Sequence, residues 1–166
     1  FYVRELGIDV QALGKRVIHV AGTNGKGSTC AFAESVLRAR GYRTALFTSP
    51  HLVHVRERFR VNGAVVGEEL FLTHFWAVWD GLHAAKARAE EAGVPPVPSF
   101  FRFLTLIAFR MFLSLSVDVV LLEVGLGGRL DATNVVPAPA CIGVATLDYD
   151  HTHILGNTLA EIAFEK

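Results

Sequence analysis

An α/β domain, doubly wound around a mostly parallel sheet and carrying a P-loop, is the fold that this 166-residue sequence predicts. Three observations point there. Apolar strand-like segments alternate with helix-like ones along the chain. The first such pair is joined by a glycine-rich turn with a lysine and two hydroxyls, VIHVAGTNGKGST from Val17 to Thr29. Val117 to Val124 is a run of valines and leucines interrupted only by Asp118 and Glu123, the composition of a central parallel strand covered on both faces.

Composition agrees with one well-packed domain. A hydrophobic content of 51% excludes disorder as the general state. Sixteen basic residues balance sixteen acidic ones, so no global field favours nucleic acid or an anionic membrane, and any phosphate recognition must be local. The only cysteines, Cys30 and Cys141, make neither a disulfide framework nor a metal-ligand spacing, which agrees with a reducing compartment. Phe100 to Gly128 is the most apolar stretch, yet Arg102, Arg110, Asp118 and Glu123 leave no window of about twenty apolar residues there, the length a bilayer requires. The chain opens at Phe1 and stops at Lys166 inside a helix-like segment, so it is expected to be one domain, 1–166, cut at both ends from a longer protein.

The elements follow in order. A strand is predicted over Val17 to Ala21, a helix over Ser28 to Arg40 closed by Gly41, and a strand over Thr44 to Thr48. Asn62-Gly63 predicts a tight hairpin turn after the charged run Arg56 to Arg60. Glu68 to Gly93 reads as one long helix. Pro95, Pro96 and Pro98 break the chain, and a covered helix spans about Phe100 to Leu115. After Val117 to Val124, a further strand is predicted over Ala140 to Leu147 and a last helix from Asn157 or Thr158.

In a parallel sheet, ligands gather outside the carboxyl ends of the strands. Four features converge on that rim. The first is the phosphate cradle: Gly22, Gly25 and Gly27 let backbone amides approach anionic oxygens, and Lys26 meets their charge at a helix N-terminus. It is a variant loop, because Val20 stands where the usual pattern has its first glycine and Gly27 separates Lys26 from Ser28. An ordinary strand-to-helix turn would need no such lysine and hydroxyls. The others are Ser49, Glu123 and Asp150-His151. Mg²⁺ on nucleotide phosphates takes a few hard oxygen ligands, which Ser49 and Glu123 could supply, with His151 at a second metal. Singly, Ser49 could just end a strand and His151 cap a turn. A glutamate in an apolar strand must find a cation or a donor.

Gly125-Leu126-Gly127-Gly128 is not a dinucleotide fingerprint, since Leu130 stands where the last glycine would be; it reads as a loop needing close backbone approach. Arg129, Asp131, Thr133 and Asn134 suit either a substrate contact or a solvated turn. The Arg56 to Arg60 run reads first as a wet strand face.

Together, HVAGTNGKGSTCAF (His19 to Phe32), TSPHL (Thr48 to Leu52), RERFRVNG (Arg56 to Gly63), EVGLGGRLDATN (Glu123 to Asn134), DHTHILGNT (Asp150 to Thr158) and IAFEK (Ile162 to Lys166) resemble, in order, the N-terminal ATPase domain of the folylpolyglutamate synthase and dihydrofolate synthase family, a branch of the Mur ligase superfamily. The resemblance implies a Mur ligase central-domain-like fold, with a glutamate-ligase domain beyond this chain. It implies ATP and Mg²⁺ as cofactors, ATP against Gly22, Thr23, Asn24, Gly25, Lys26, Gly27, Ser28 and Thr29, and magnesium on Ser49, Glu123, His151 and Lys166. By the same resemblance Lys26, His151 and Lys166 are catalytic, Lys166 as a carboxylated lysine. Folate would lie against Ser99, Phe100, Phe101, Arg102, Leu130, Asp131 and Ala132.

The activity implied is ATP-dependent addition of L-glutamate to the γ-carboxylate of a reduced folate through an acyl phosphate. Arg102 resembles the eukaryotic folylpolyglutamate synthases, while GLGGRLDATN resembles the bacterial loop and keeps dihydrofolate synthesis open. A nucleotide switch or simple NTPase is the reading from another class. Small-molecule substrates, folate and L-glutamate, are expected, with no nucleic acid and no membrane, in a monomer of the cytoplasm or the mitochondrion.

Overall fold

The computed structural model describes residues 1–166. Four parallel strands make the body of a six-stranded sheet: β1 (Val17–Ala21), β2 (Thr44–Phe47), β5 (Val119–Glu123) and β6 (Cys141–Val144). A short antiparallel hairpin, β3 (Phe59–Val61) and β4 (Ala64–Val65), extends it beside β2, giving the order β4-β3-β2-β5-β1-β6. Successive residues on a strand point to opposite faces, and both faces are apolar here. Val17, Ala45, Phe47, Val120 and Leu122 face one core, while Val20, Leu46 and Leu121 face another with Cys30.

The helices divide accordingly. α3 (Lys26–Ala39) covers the smaller core. The larger core is built on α6 (Phe100–Ser114), whose residues from Phe103 to Phe109 are all buried, together with α4 (Glu68–Ala84) and α2 (Val10–Gly14). A chain of rings, Phe47, Phe59, Phe71 and Phe75, runs from the sheet into the helices at centroid spacings of 5.3, 5.4 and 6.1 Å. At the hairpin tip Asn62 and Gly63 both take positive φ, 50° and 81°, as the tight turn of twisted strands requires. No helix is long and apolar enough to cross a membrane.

Several elements differ from the sequence expectation. The helix expected from Glu68 to Gly93 breaks at Ala85 into α4 and α5 (Lys86–Glu91), where Arg88 Nε pairs with Glu5 Oε2 of α1 (Tyr2–Glu5) at 2.6 Å. Nothing in the composition near Ala85 marks that break; the tie to a distant helix accompanies it. Val117 lies outside β5 and Glu123 is its last residue, so the carboxylate stands at the strand tip rather than within it. β6 is shorter than Ala140 to Leu147 and lies at the sheet edge, with Ile142 and Val144 exposed. α3 begins two residues early, at Lys26. α1, α2 and α7 (Thr152–Leu155) are additions that their few residues left unmarked. α8 (Leu159–Glu165) starts where expected, capped by Thr158.

Candidate active site

β1 delivers the chain into the glycine turn at the sheet's carboxyl rim. Gly22 has φ 136°, and a Cβ there would come within 2.9 Å of Ala145 Cβ, so only glycine fits between β1 and the segment after β6. The Thr23 amide donates to Thr146 O at 2.7 Å, and Thr23 Oγ1 donates to Asp148 O at 2.9 Å. Gly25, left-handed at φ 81°, turns the chain into α3. The first amides of that 14-residue helix lack intrahelical partners and face the rim, which makes them suited to anionic oxygens. Asn24, Gly25, Ser28 and Thr29 are exposed there.

Two ammonium groups meet on one carbonyl. Lys26 Nζ donates to Gly22 O and to Thr23 O, both at 2.9 Å, and Lys166 Nζ donates to the same Gly22 O at 2.9 Å. Burial first, and then the charge of Lys26, push the Lys166 pKa below the usual lysine range, with Asp150 opposing. Beside them stands Glu123, 4% exposed, whose Oε2 accepts the Ser49 amide at 2.8 Å. A Cβ on Gly27 would lie 3.4 Å from both carboxylate oxygens, so the cradle helix passes directly over this side chain. Burial raises the Glu123 pKa, while the Ser49 amide, Lys26, the Gly27 backbone and Arg58 act the other way. The donor expected for a buried carboxylate is thus the Ser49 amide. No group of three or more His, Cys, Asp or Glu side chains gathers anywhere; the hard-oxygen pair is Glu123 with the serine whose backbone it holds. His151, in a left-handed conformation at φ 49°, is exposed and 3.6 Å from Asp150 Oδ2.

A cavity of about 390 Å³ opens beyond this cluster. Its walls are the 126–132 loop, Ser99, Phe101 and Arg102 at the start of α6, Ile154 and Leu155 of α7, and Glu165 of α8.

The Arabidopsis thaliana folylpolyglutamate synthase is 52% identical to the chain over 165 residues, 99% of this chain and 28% of that protein. The chain belongs to the folylpolyglutamate synthase family. It spans about 28% of the length of that relative. Among solved structures, Escherichia coli FolC in complex with DHPP and ADP matches with a TM-score of 0.85 and 38% identity, over 99% of this chain and 36% of that one. The Yersinia pestis bifunctional folylpolyglutamate synthase/dihydrofolate synthase, complexed with AMPPNP and Mn, matches with a TM-score of 0.83 and 35% identity, over 99% and 37%. No family model matches the chain.

Within this family domain the residues singled out from the sequence fall into three groups. Gly22 to Thr29, Lys166, Ser49 and Glu123 surround the cradle; His151 lies at the same rim, exposed, with its imidazole near Asp150. Ser99, Phe101, Arg102, Leu130, Asp131 and Ala132 line the 390 Å³ cavity. Phe100 is separate: it lines an aromatic groove with Phe71, Phe75 and Trp79 and lies under the Arg58 guanidinium, 5.7 Å from its carbon. Asp131 presents no free oxygen, because Oδ1 accepts from Thr133 and Oδ2 from the Gly125 and Leu126 amides.

Arg58 is the residue that the sequence undervalued. Unlike Arg60, it is buried, donates from Nε to His51 Nδ1 at 2.8 Å, and adds positive charge beside Glu123. No local pattern marked it, because Arg58 and Arg60 flank the same phenylalanine in one charged run and only the packing buries the first and exposes the second.

Proposed function

We propose that this chain is the ATP-binding domain of a ligase that joins L-glutamate to the γ-carboxylate of a reduced folate, with a glutamate-ligase domain in the whole protein. The observation that carries this reading is the convergence of the glycine cradle, its two lysines and the buried Glu123 on one rim, beside a cavity walled by Phe101 and Arg102. Phosphoryl transfer asks a protein for positioning and charge neutralisation more than for covalent chemistry.

The folate carboxylate oxygen attacks the γ-phosphorus of ATP and ADP leaves; the glutamate amine then attacks the acyl carbon and phosphate leaves. In that scheme the loop amides of Gly22 to Thr29 and the Lys26 ammonium hold the phosphates, releasing the Gly22 and Thr23 carbonyls that Lys26 now contacts. Glu123, with the Ser49 hydroxyl, would hold a divalent ion beside the cradle, since a buried carboxylate there is the hard anionic oxygen such an ion takes. When bound, magnesium would spread the charge that develops during transfer. Lys166 and His151 are assigned to a second ion. The lowered Lys166 pKa brings the neutral amine within easier reach, the form that captures CO₂ as a carbamate and so trades a repelling ammonium for ligating oxygens. Folate is assigned to the cavity bounded by Ser99, Phe101, Arg102, Leu130, Asp131 and Ala132, and Phe100, which lines the separate aromatic groove, is left out of that assignment.

The test is a coupled ADP-release assay on the full-length enzyme with ATP, Mg²⁺, tetrahydrofolate and L-glutamate. ADP release that requires both acceptor and amino acid is the expected result. Release without them would mark a simple NTPase, and nucleotide-dependent partner binding with no acyl phosphate trapped by hydroxylamine would mark a switch. Dihydropteroate in place of folate tests the bifunctional alternative, which the bacterial form of the GLGGRLDATN loop keeps open. The substrates are small molecules; no nucleic acid, membrane or partner subunit is assigned a part, and a monomer serves the scheme. We assign the enzyme to the cytoplasm or the mitochondrion, the latter because the human relative is named as mitochondrial.

A further inference from the structure

A buried polar chain that the scheme above does not use joins the cradle strand to the cavity loop. His19, at the middle of β1 and 7% exposed, has Nε2 2.7 Å from Thr133 Oγ1. Thr133, fully buried in a single 3-10 turn (Ala132–Val135), donates its hydroxyl to Asp131 Oδ1 at 2.6 Å and its amide to the same oxygen at 2.9 Å. Asp131 Oδ2 accepts the Gly125 and Leu126 amides at 3.1 and 3.0 Å. The hydroxyl has one proton, which it gives to Asp131, so it must accept from His19. That fixes the imidazole as the Nε2–H form and gives the chain one direction, His19 to Thr133 to Asp131 to the loop amides.

What the chain holds is a loop with no slack. A Cβ on Gly125 would lie 2.7 Å from the Phe101 ring, and one on Gly128 2.7 Å from Lys166 O. Phe101 in turn stacks on Phe47 at 5.7 Å. Leu126 to Asp131 form one wall of the 390 Å³ cavity, so a loop released from Asp131 would shift against Phe101 and reshape that cavity. The cradle is anchored differently, through Thr23 to Thr146 and Asp148. Loss of the polar chain therefore acts first on the cavity, and reaches the phosphate cradle only through the contact of Gly128 with Lys166.

We propose that His19 and Thr133 are positioning residues that hold the Gly125–Asp131 loop in the shape that admits the folate, without touching it. This rests on the assignment of folate to that cavity. The experiment compares steady-state kinetics of the full-length enzyme with Thr133→Val, His19→Leu, the double variant, Thr133→Ser and, as a probe of the cavity itself, Arg102→Gln. A broken buried hydrogen-bond chain is expected to raise the KM for folate about tenfold in Thr133→Val and in His19→Leu, with the KM for ATP within about twofold of the parent. The double variant is expected to be no worse than either single one, because both cut the same chain. Thr133→Ser, which keeps the hydroxyl, is expected to restore the parent KM. Equal increases in both KM values, or a serine variant as poor as the valine one, would overturn the proposal as a general packing defect. A raised folate KM in Arg102→Gln with none in Thr133→Val overturns the positioning role alone. No change in any of them overturns the folate assignment as well.

Discussion

His74, between α4 and α6, accepts a hydrogen bond at Nδ1 from Arg110 Nη1 at 2.9 Å and has Ser114 Oγ 3.3 Å from Nε2. Arginine can only donate, so the buried ring is neutral. Burial, and then the charge of Arg110, hold its pKa below the usual 6.5. The unfolded chain takes a proton on this residue at a higher pH than the native protein does. The stability that the neutral ring carries is therefore complete above pH 6.5 and is lost as pH falls towards the lowered native value. Thermal unfolding from about pH 7.5 to about pH 5.5 should show a falling midpoint that His74→Gln flattens. Glu123 has the opposite sign. Its raised pKa means that burying the ionised carboxylate costs stability, a cost relieved as pH falls through that value, while the ionised form is the one a cation needs. Glu123→Gln in the full-length enzyme should leave the circular dichroism unchanged and lower ligase kcat by about 10²-fold or more, as loss of charge stabilisation does elsewhere. The glutamate betrayed itself by standing in an apolar strand; His74 on a mixed helix gave no sign, because its partner lies 36 residues away.

α8 is short and carries Glu165 with Lys166 just beyond it, so its start matters to the rim. Thr158 Oγ1 accepts the Glu161 amide at 3.2 Å, and the Glu161 carboxylate accepts the Asn157 and Thr158 amides in return. Thr158→Ala should cost about 1 kcal/mol, read as a lower urea midpoint. Gly128 and Arg129 pack on the end of this helix, where Arg129 Nη2 and Glu165 Oε1 are 2.7 Å apart. The start of this helix at Asn157 or Thr158 was legible because a helix beginning is set by local residues. The break at Ala85 was not, since no glycine or proline marks it.

The whole molecule stands on a core shared by α6, α4, α2 and one face of the sheet. Phe109 is a fully buried member of it, and Phe109→Ala should remove about 3–5 kcal/mol, measured by denaturant unfolding with an unchanged slope. The same core sets the geometry of the site. By holding β1, β2 and β5 side by side, it brings Lys26, Ser49 and Glu123 to one rim from three distant stretches of chain.

The alternation of apolar runs, the hairpin at Asn62-Gly63, the cradle and its lysine, and the start of the chain's last helix follow from short-range rules of period, turn and cap, and those the sequence determined by itself. Which polar groups meet was decided only by the tertiary structure. Lys166 reaches Gly22 O across 144 positions and His19 reaches Thr133 across 114, and such pairs exist only once strand order and helix packing have set the distances. The separation of Phe100 from Phe101, neighbours in sequence yet lining different grooves, has the same cause: successive side chains on a helix face different directions, and only the surrounding packing says what each one meets.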